Sequence, residues 1–102
     1  MNGEYIGFLL KHFEAAEETK QLDLCQLDML IKYTNPLLDS DKIEFARTAV
    51  ALGPRFHDCA RWVLLDLLRC RTDEPNYSKA LDLLVFDVYL DGLKDSETAV
   101  DV

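Results

Sequence analysis

The stretch RFHDCARWVLLDLLRCR, residues 55–71, decides the fold. Phe56, Cys59, Ala60, Val63, Leu67 and Cys70 recur every three or four positions and fall within one arc of a helical wheel, the pattern of a helix with one buried face. On the opposite side lie Asp58, Arg61, Trp62, Leu65 and Arg69. An apolar pair framed by arginines has the composition of a protein-binding hot spot. The competing expectation is that another helix covers Trp62. In that case Asp58 with Arg61 and Asp66 with Arg69, each at i,i+3 spacing, simply neutralise one another along the helix.

Toward the N-terminus, Gly53-Pro54 closes a third helix, since glycine accepts a positive-φ cap and proline cannot extend the hydrogen-bond ladder. That helix packs through Ile43, Ala46 and Val50 and starts after Asp39-Ser40-Asp41, where Asp41 and Glu44 have capping-box spacing. Residues 22–33 carry two apolar stripes, Leu24, Leu27 and Ile31 against Leu22, Cys25, Met29 and Tyr33, which predicts a helix sandwiched between neighbours. Asn35-Pro36 ends it, because the residue before a proline is biased out of the α region. Residues 4–18 form an amphipathic helix on Ile6, Leu9, Leu10, Phe13 and Ala16, with Lys11, Glu14 and Glu18 away from that face.

Toward the C-terminus, residues 72–78 read as a turn around Pro75, followed by a fifth apolar segment over residues 79–90. Its spacing is double. Leu81, Leu84, Val85 and Val88 suit a helix, whereas Phe86, Val88 and Leu90 alternate with Asp87, Tyr89 and Asp91 as in a half-buried strand. Helix is the expectation, because no second strand-like segment exists to pair with a strand. The chain therefore reads as all-α, a single compact bundle of four to five short helices, with the second and fifth most enclosed. Residues 1–95 are expected to form one domain and residues 96–102 a loose tail.

Composition agrees. A chain of 102 residues is one domain's worth, and 49% hydrophobic with 29% charged residues excludes intrinsic disorder and low-complexity structure. Three prolines and four glycines are too few for a turn-rich β sandwich of this length. The start carries Glu4 where a secretion signal needs a basic region, and no apolar run is long enough to span a bilayer. A cytoplasmic protein that does not enter membranes is expected. Three cysteines, Cys25, Cys59 and Cys70, are odd in number and lack a close pair, so reduced packing thiols are expected in place of disulfides or a zinc site.

Familiar chemistries fail one by one. His57 and Cys59 sit two apart on a helix and point about 200° away from each other, so they cannot share a metal. Neither Glu-x-x-His nor His-Glu-x-x-His occurs, and the glycines at 3, 7, 53 and 92 are too scattered for a phosphate loop. Asp87 to Gly92 imitates half a calcium loop but puts Tyr89 and Thr98 where ligands are needed. Cys25 with His12 offers a nucleophile and base only if the two meet across helices. The expectation is no catalytic residue, no metal and no cofactor.

Charge supplies the positive expectation. The formal charge is −8, which disfavours nucleic acid and favours a basic protein partner. The last third of the chain is the most acidic, with Asp73, Glu74, Asp82, Asp87, Asp91, Asp95, Glu97 and Asp101. The expected function is that of a small acidic binding protein, in the manner of immunity or antitoxin proteins that neutralise a nuclease-type toxin, or of phage-encoded inhibitors. It would occlude or regulate a basic toxin or host enzyme. Its expected partner-binding residues are Asp82, Asp87, Tyr89 and Asp91 with Asp58, Arg61, Trp62, Leu65 and Arg69. Carboxylates steer the encounter, and Trp62 or Tyr89 supplies a desolvated anchor. The alternative is a transcriptional regulator resembling a helix-turn-helix over residues 43–71. There Ala49, Gly53 and Cys59 take the small, turn and buried positions, and Arg55, His57 and Arg61 reach the groove. The fifth segment is apolar almost all round, which leaves a homodimer open.

Overall fold

The computed structural model describes residues 3–70 and 73–89, and among these it contains five α-helices and no strand. They are α1 (Gly3–Leu10), α2 (Leu24–Thr34), α3 (Asp39–Leu52), α4 (His57–Arg69) and α5 (Glu74–Asp82). A 3-10 turn, Pro54–Phe56, leads into α4, and α5 continues directly into a π-helical segment, Leu83–Tyr89. The chain is an all-α bundle of short helices, and the doubtful segment after residue 79 is helical. Leu90 and everything after it, including Asp91 and the expected tail, lie outside the described residues.

The deciding stretch is the centre of the molecule. α4 packs most extensively on α3 and also touches α2, α5 and the π-helical segment. Cys59, Ala60, Val63, Leu64 and Leu67 are buried on it, joined by Phe45, Ala46 and Ala49 of α3, Leu10 of α1 and Leu30 of α2. Cys70, expected in the same arc, is exposed instead, because the helix ends at Arg69 and its last turn projects beyond the core.

The first helix is shorter than its spacing predicts. It stops at Leu10, and His12 and Phe13 donate to Leu9 and Leu10 over tight three-residue turns of 3.0 Å each. The run from Glu14 to Glu18 has good helix formers, yet tertiary bonds win over propensity. Ala15 donates to the Arg55 carbonyl at 2.8 Å and its own carbonyl accepts from Arg55 Nε at 3.3 Å, so Ala15 is buried and Ala16 is not. Both hydrogen-bonding groups of that peptide find partners on the α3–α4 corner, which a continued helix would forbid.

The enclosure expected for the second and fifth helices is not found. On α2 only Leu30 and Thr34 are buried, and Leu24 is 85% exposed. On the fifth, Ala80, Leu83, Leu84 and Val88 face the core, while Leu81, Val85, Phe86 and Tyr89 stay exposed. Both helices lie at the periphery of a bundle whose centre is taken by α4, so each has a covered side and an open one.

Helix ends also depart from expectation in three places. α2 ends at Thr34 as expected, but Asn35 itself remains in the α region (φ −55°, ψ −42°) and donates to Ile31 at 2.8 Å, and the Leu37 N–H donates to the Thr34 carbonyl at 3.0 Å across Pro36. α3 begins at Asp39 without a side-chain cap, so Asp39 and Asp41 sit in its first turn, where carboxylates suit the helix dipole. Glu44 is turned toward Arg47. Pro75 stands in the first turn of α5, where its missing N–H costs nothing, and Asp73 caps the helix by accepting from the Asn76 N–H at 3.0 Å. The capping box of the molecule is Asp23 with Gln26: Asp23 Oδ1 accepts from Gln26 N–H at 2.8 Å, and Gln26 Oε1 accepts from Asp23 N–H at 3.0 Å.

Gly53 ends α3 as expected, at φ 120° and ψ 179°, a conformation essentially reserved for glycine. A Cβ there would meet no atom within 4 Å. The cost of Gly53→Ala is therefore backbone strain alone. It is expected to lower unfolding stability by about 1–3 kcal/mol, read as a lower urea midpoint at unchanged denaturant slope.

Candidate functional site

Asp58, in the first turn of α4, is a buried carboxylate, with 4% of its side chain exposed. Oδ2 accepts from the Leu22 N–H at 2.8 Å, 36 residues away in sequence, and Oδ1 accepts from Arg61 Nε at 3.1 Å and from its terminal nitrogen. Asp58 is thus occupied inside the chain, tying the segment before α2 to α4. The Arg61 guanidinium in turn lies 4.8 Å from the centre of the Trp62 ring. Burial works against its charge, but the hydrogen bonds and charge of Asp58, with a smaller contribution from Tyr89 nearby, hold its proton more firmly than usual.

The structure thus unites two groups of residues that the sequence keeps 27 positions apart or more, Asp58, Arg61 and Trp62 on α4 and Tyr89 at the end of the π-helical segment. Trp62 and Leu65 are half-buried and pack on the core edge. Arg69 is 77% exposed and paired with Asp66 at 2.7 Å. Both i,i+3 pairs anticipated along the helix therefore form. Asp82 is exposed at the end of α5 and Asp87 is half-buried on the π-helical segment; Asp91 lies outside the described residues.

Around Tyr89 the same helix leaves Tyr77, Leu81, Val85 and Phe86 exposed, Phe86 by 60%. Large apolar side chains therefore alternate with carboxylates on a helix that backs onto α4. Sequence reasoning placed Leu81 and Val85 in the core stripe. The signal that could have separated them is the wider π-helical turn, which shifts the buried set to Ala80, Leu83, Leu84 and Val88 but has no recognisable sequence signature.

Residues considered for other chemistries are distributed as follows. Arg55, one of the three groove-reading residues of the helix-turn-helix alternative, pairs with Glu14 at 2.8 Å and bonds Ala15, and Arg61 is held by Asp58. His12 and Cys25 line one hollow between α1 and α2, and Cys25 is exposed. Burial, reinforced by the neighbouring Asp58 charge, pushes the Cys59 thiol far above its ordinary range, which makes it a packing group and not a nucleophile. Among the described residues no three His, Cys, Asp or Glu side chains are grouped to hold a metal ion, and no helix is long and apolar enough to cross a membrane.

Comparison with protein-family models, with curated proteins and with solved structures found no match. The reading of this face rests on its own geometry.

Removing the buried carboxylate tests that geometry. Asp58→Ala strands the Leu22 N–H and the Arg61 charge together and is expected to cost about 3–5 kcal/mol of unfolding free energy. Asp58→Asn keeps an oxygen for Leu22 and should cost less, so equal losses from the two would contradict the assignment. In the folded protein a thiol reagent should modify Cys25 and Cys70 promptly and Cys59 only after denaturation, countable by mass spectrometry.

Proposed function

We propose that this chain is a non-catalytic binding protein that engages a basic protein partner through the face formed by α4, α5 and the π-helical segment, occluding or regulating that partner. The observation that carries the reading is a pair of carboxylates outside any ion pair with the described residues that stand among exposed apolar side chains, on a face whose arginines are already paired. Lys79 of α5 is the one cation on that face in no ion pair with the described residues. Arg47, Arg55, Arg61, Arg69 and Lys32 are each taken up by a carboxylate of the chain itself. Asp82 and Asp87, by contrast, are in no ion pair with the described residues, and exposed Leu81, Val85, Phe86 and Tyr89 stand among them.

An interface needs both features. Unpaired carboxylates attract Lys and Arg over several ångströms and speed the encounter in a salt-dependent way, and large apolar side chains provide the desolvated contact that slows release. Tyr89 and Trp62 flank the Arg61 guanidinium. Trp62 thus stands beside a guanidinium already held by an ion pair, which limits the side-chain entropy it loses on docking. Immunity or antitoxin proteins that neutralise nuclease-type toxins, and phage-encoded inhibitors, are the kind of protein this combination fits.

Affinity capture with the full chain from its native source, followed by identification of what co-purifies, tests the reading. The expected partner carries a net positive charge and is released by salt. The double substitution Asp82→Asn with Asp87→Asn should slow its association about threefold or more at low ionic strength while leaving the fold unchanged by circular dichroism. An association rate indifferent to both salt and these substitutions would reject the proposed face.

A further inference from the structure

A hollow of about 530 Å³ lies between α1 and α2, on residues that the partner-binding reading does not use. We propose that it is a binding site for a small organic cation with an aromatic or alkyl body, such as a substituted quaternary ammonium compound.

Three observations converge. The volume falls within the range of about 300–1,000 Å³ typical of small-molecule sites. Its walls include the exposed rings of Tyr5, Phe8 and Tyr33, with Met29 beside them and the buried ring of Phe13 as its floor. Phe13 and Tyr33 are tilted at 56° with centroids 6.3 Å apart, and Phe8 meets His12 edge-on at 75° and 5.3 Å. In neither pair do two faces stack in parallel, so an edge contact occupies at most one face of one ring in each pair. A ring face carries the negative part of the aromatic quadrupole and attracts a cation.

The charge of the lining points the same way. Among the described residues, Asp23 supplies its one carboxylate and His12 its one imidazole, and no lysine or arginine lines it. The capping bond from the Gln26 N–H at 2.8 Å fixes the orientation of that carboxylate at the start of α2, and its full negative charge exceeds the partial positive charge of the helix terminus. An apolar cavity with rings and a single fixed anion is complementary to a cation that also carries apolar surface. A neutral hydrocarbon would leave the anion unused, and an anion would be repelled by it. The uncovered walls fit this reading, since Phe8 is 59% exposed and Met29 and Tyr33 are 46% and 47% exposed around the hollow.

The test titrates the full chain with benzyltrimethylammonium chloride and, separately, with its uncharged near-isostere 2,2-dimethyl-1-phenylpropan-1-ol, following the Met29 methyl and Tyr33 ring resonances by NMR. The cation is expected to give saturable shifts at both residues at millimolar concentration, with the Trp62 signals unmoved. It should bind about two- to fivefold tighter than the alcohol, the ratio that an exposed cation–π contact supplies. Asp23→Asn retains the helix cap and should weaken the cation about two- to fivefold without changing the alcohol. Phe8→Leu keeps apolar bulk, removes a ring and should reduce the preference for the cation. Absence of saturable shifts overturns the proposal, as does equal affinity for cation and alcohol, or an Asp23→Asn variant that is folded and unaffected. Concentration-dependent self-association that covers Met29 and Tyr33 would assign the hollow to a second copy of the chain and overturn it equally.

Discussion

A buried carboxylate has to be paired, and in this molecule that requirement is met by Asp58. Its two oxygens reach in different directions, one to the backbone of Leu22 and one to the guanidinium of Arg61. The first contact sets where α2 begins, since Leu22 is followed at once by the Asp23 cap. The second fixes Arg61, whose guanidinium lies beside the Trp62 ring and near Tyr89. At the other end of the same corner, Arg55 grips Ala15 and Glu14. The irregular segment of residues 11–23 is thus held at both ends by the entry to α4. Polar bonding of backbone groups, together with burial of Phe13, Ala15 and Leu22, gives this helix-poor stretch a single path.

The remaining architecture follows from size. A chain of 102 residues has one central helix to offer, and α4 occupies that place. The other helices can cover it on one side only, which leaves apolar residues of α1, α2 and the α5 region facing outward. Two separate open regions result. The α4–α5 region combines exposed rings and aliphatic side chains with carboxylates that the described residues do not neutralise. The α1–α2 region folds its rings around a hollow with one anion. They differ in shape and therefore in the kind of ligand each suits, a protein surface in one case and a compact cation in the other.

Much of this was legible in the sequence. The periodicity of residues 55–71 located the central helix, and the i,i+3 spacing of Asp58 with Arg61 and of Asp66 with Arg69 anticipated two ion pairs that form. The Gly53-Pro54 corner was equally plain. The Asp23 to Gln26 capping box was readable from spacing but was overshadowed by Asp41 and Glu44, which share the pattern and do not form a cap. Tyr5 and Phe8 stood off the apolar stripe of the first helix, a sign of an open aromatic face that periodicity alone does not interpret.

The sequence by itself determined the all-α class, the corner between the third and fourth helices and the acidic balance, because local periodicity, turn chemistry and composition do not depend on distant contacts. Only the tertiary structure decided that residues 11–23 leave the helical path, that Asp58 is an internal strut and not a surface charge, and that α2 is open on one side. Each of those depends on a pairing between residues far apart in the chain, or on how few neighbours a small bundle has to spare, and neither is written in local spacing.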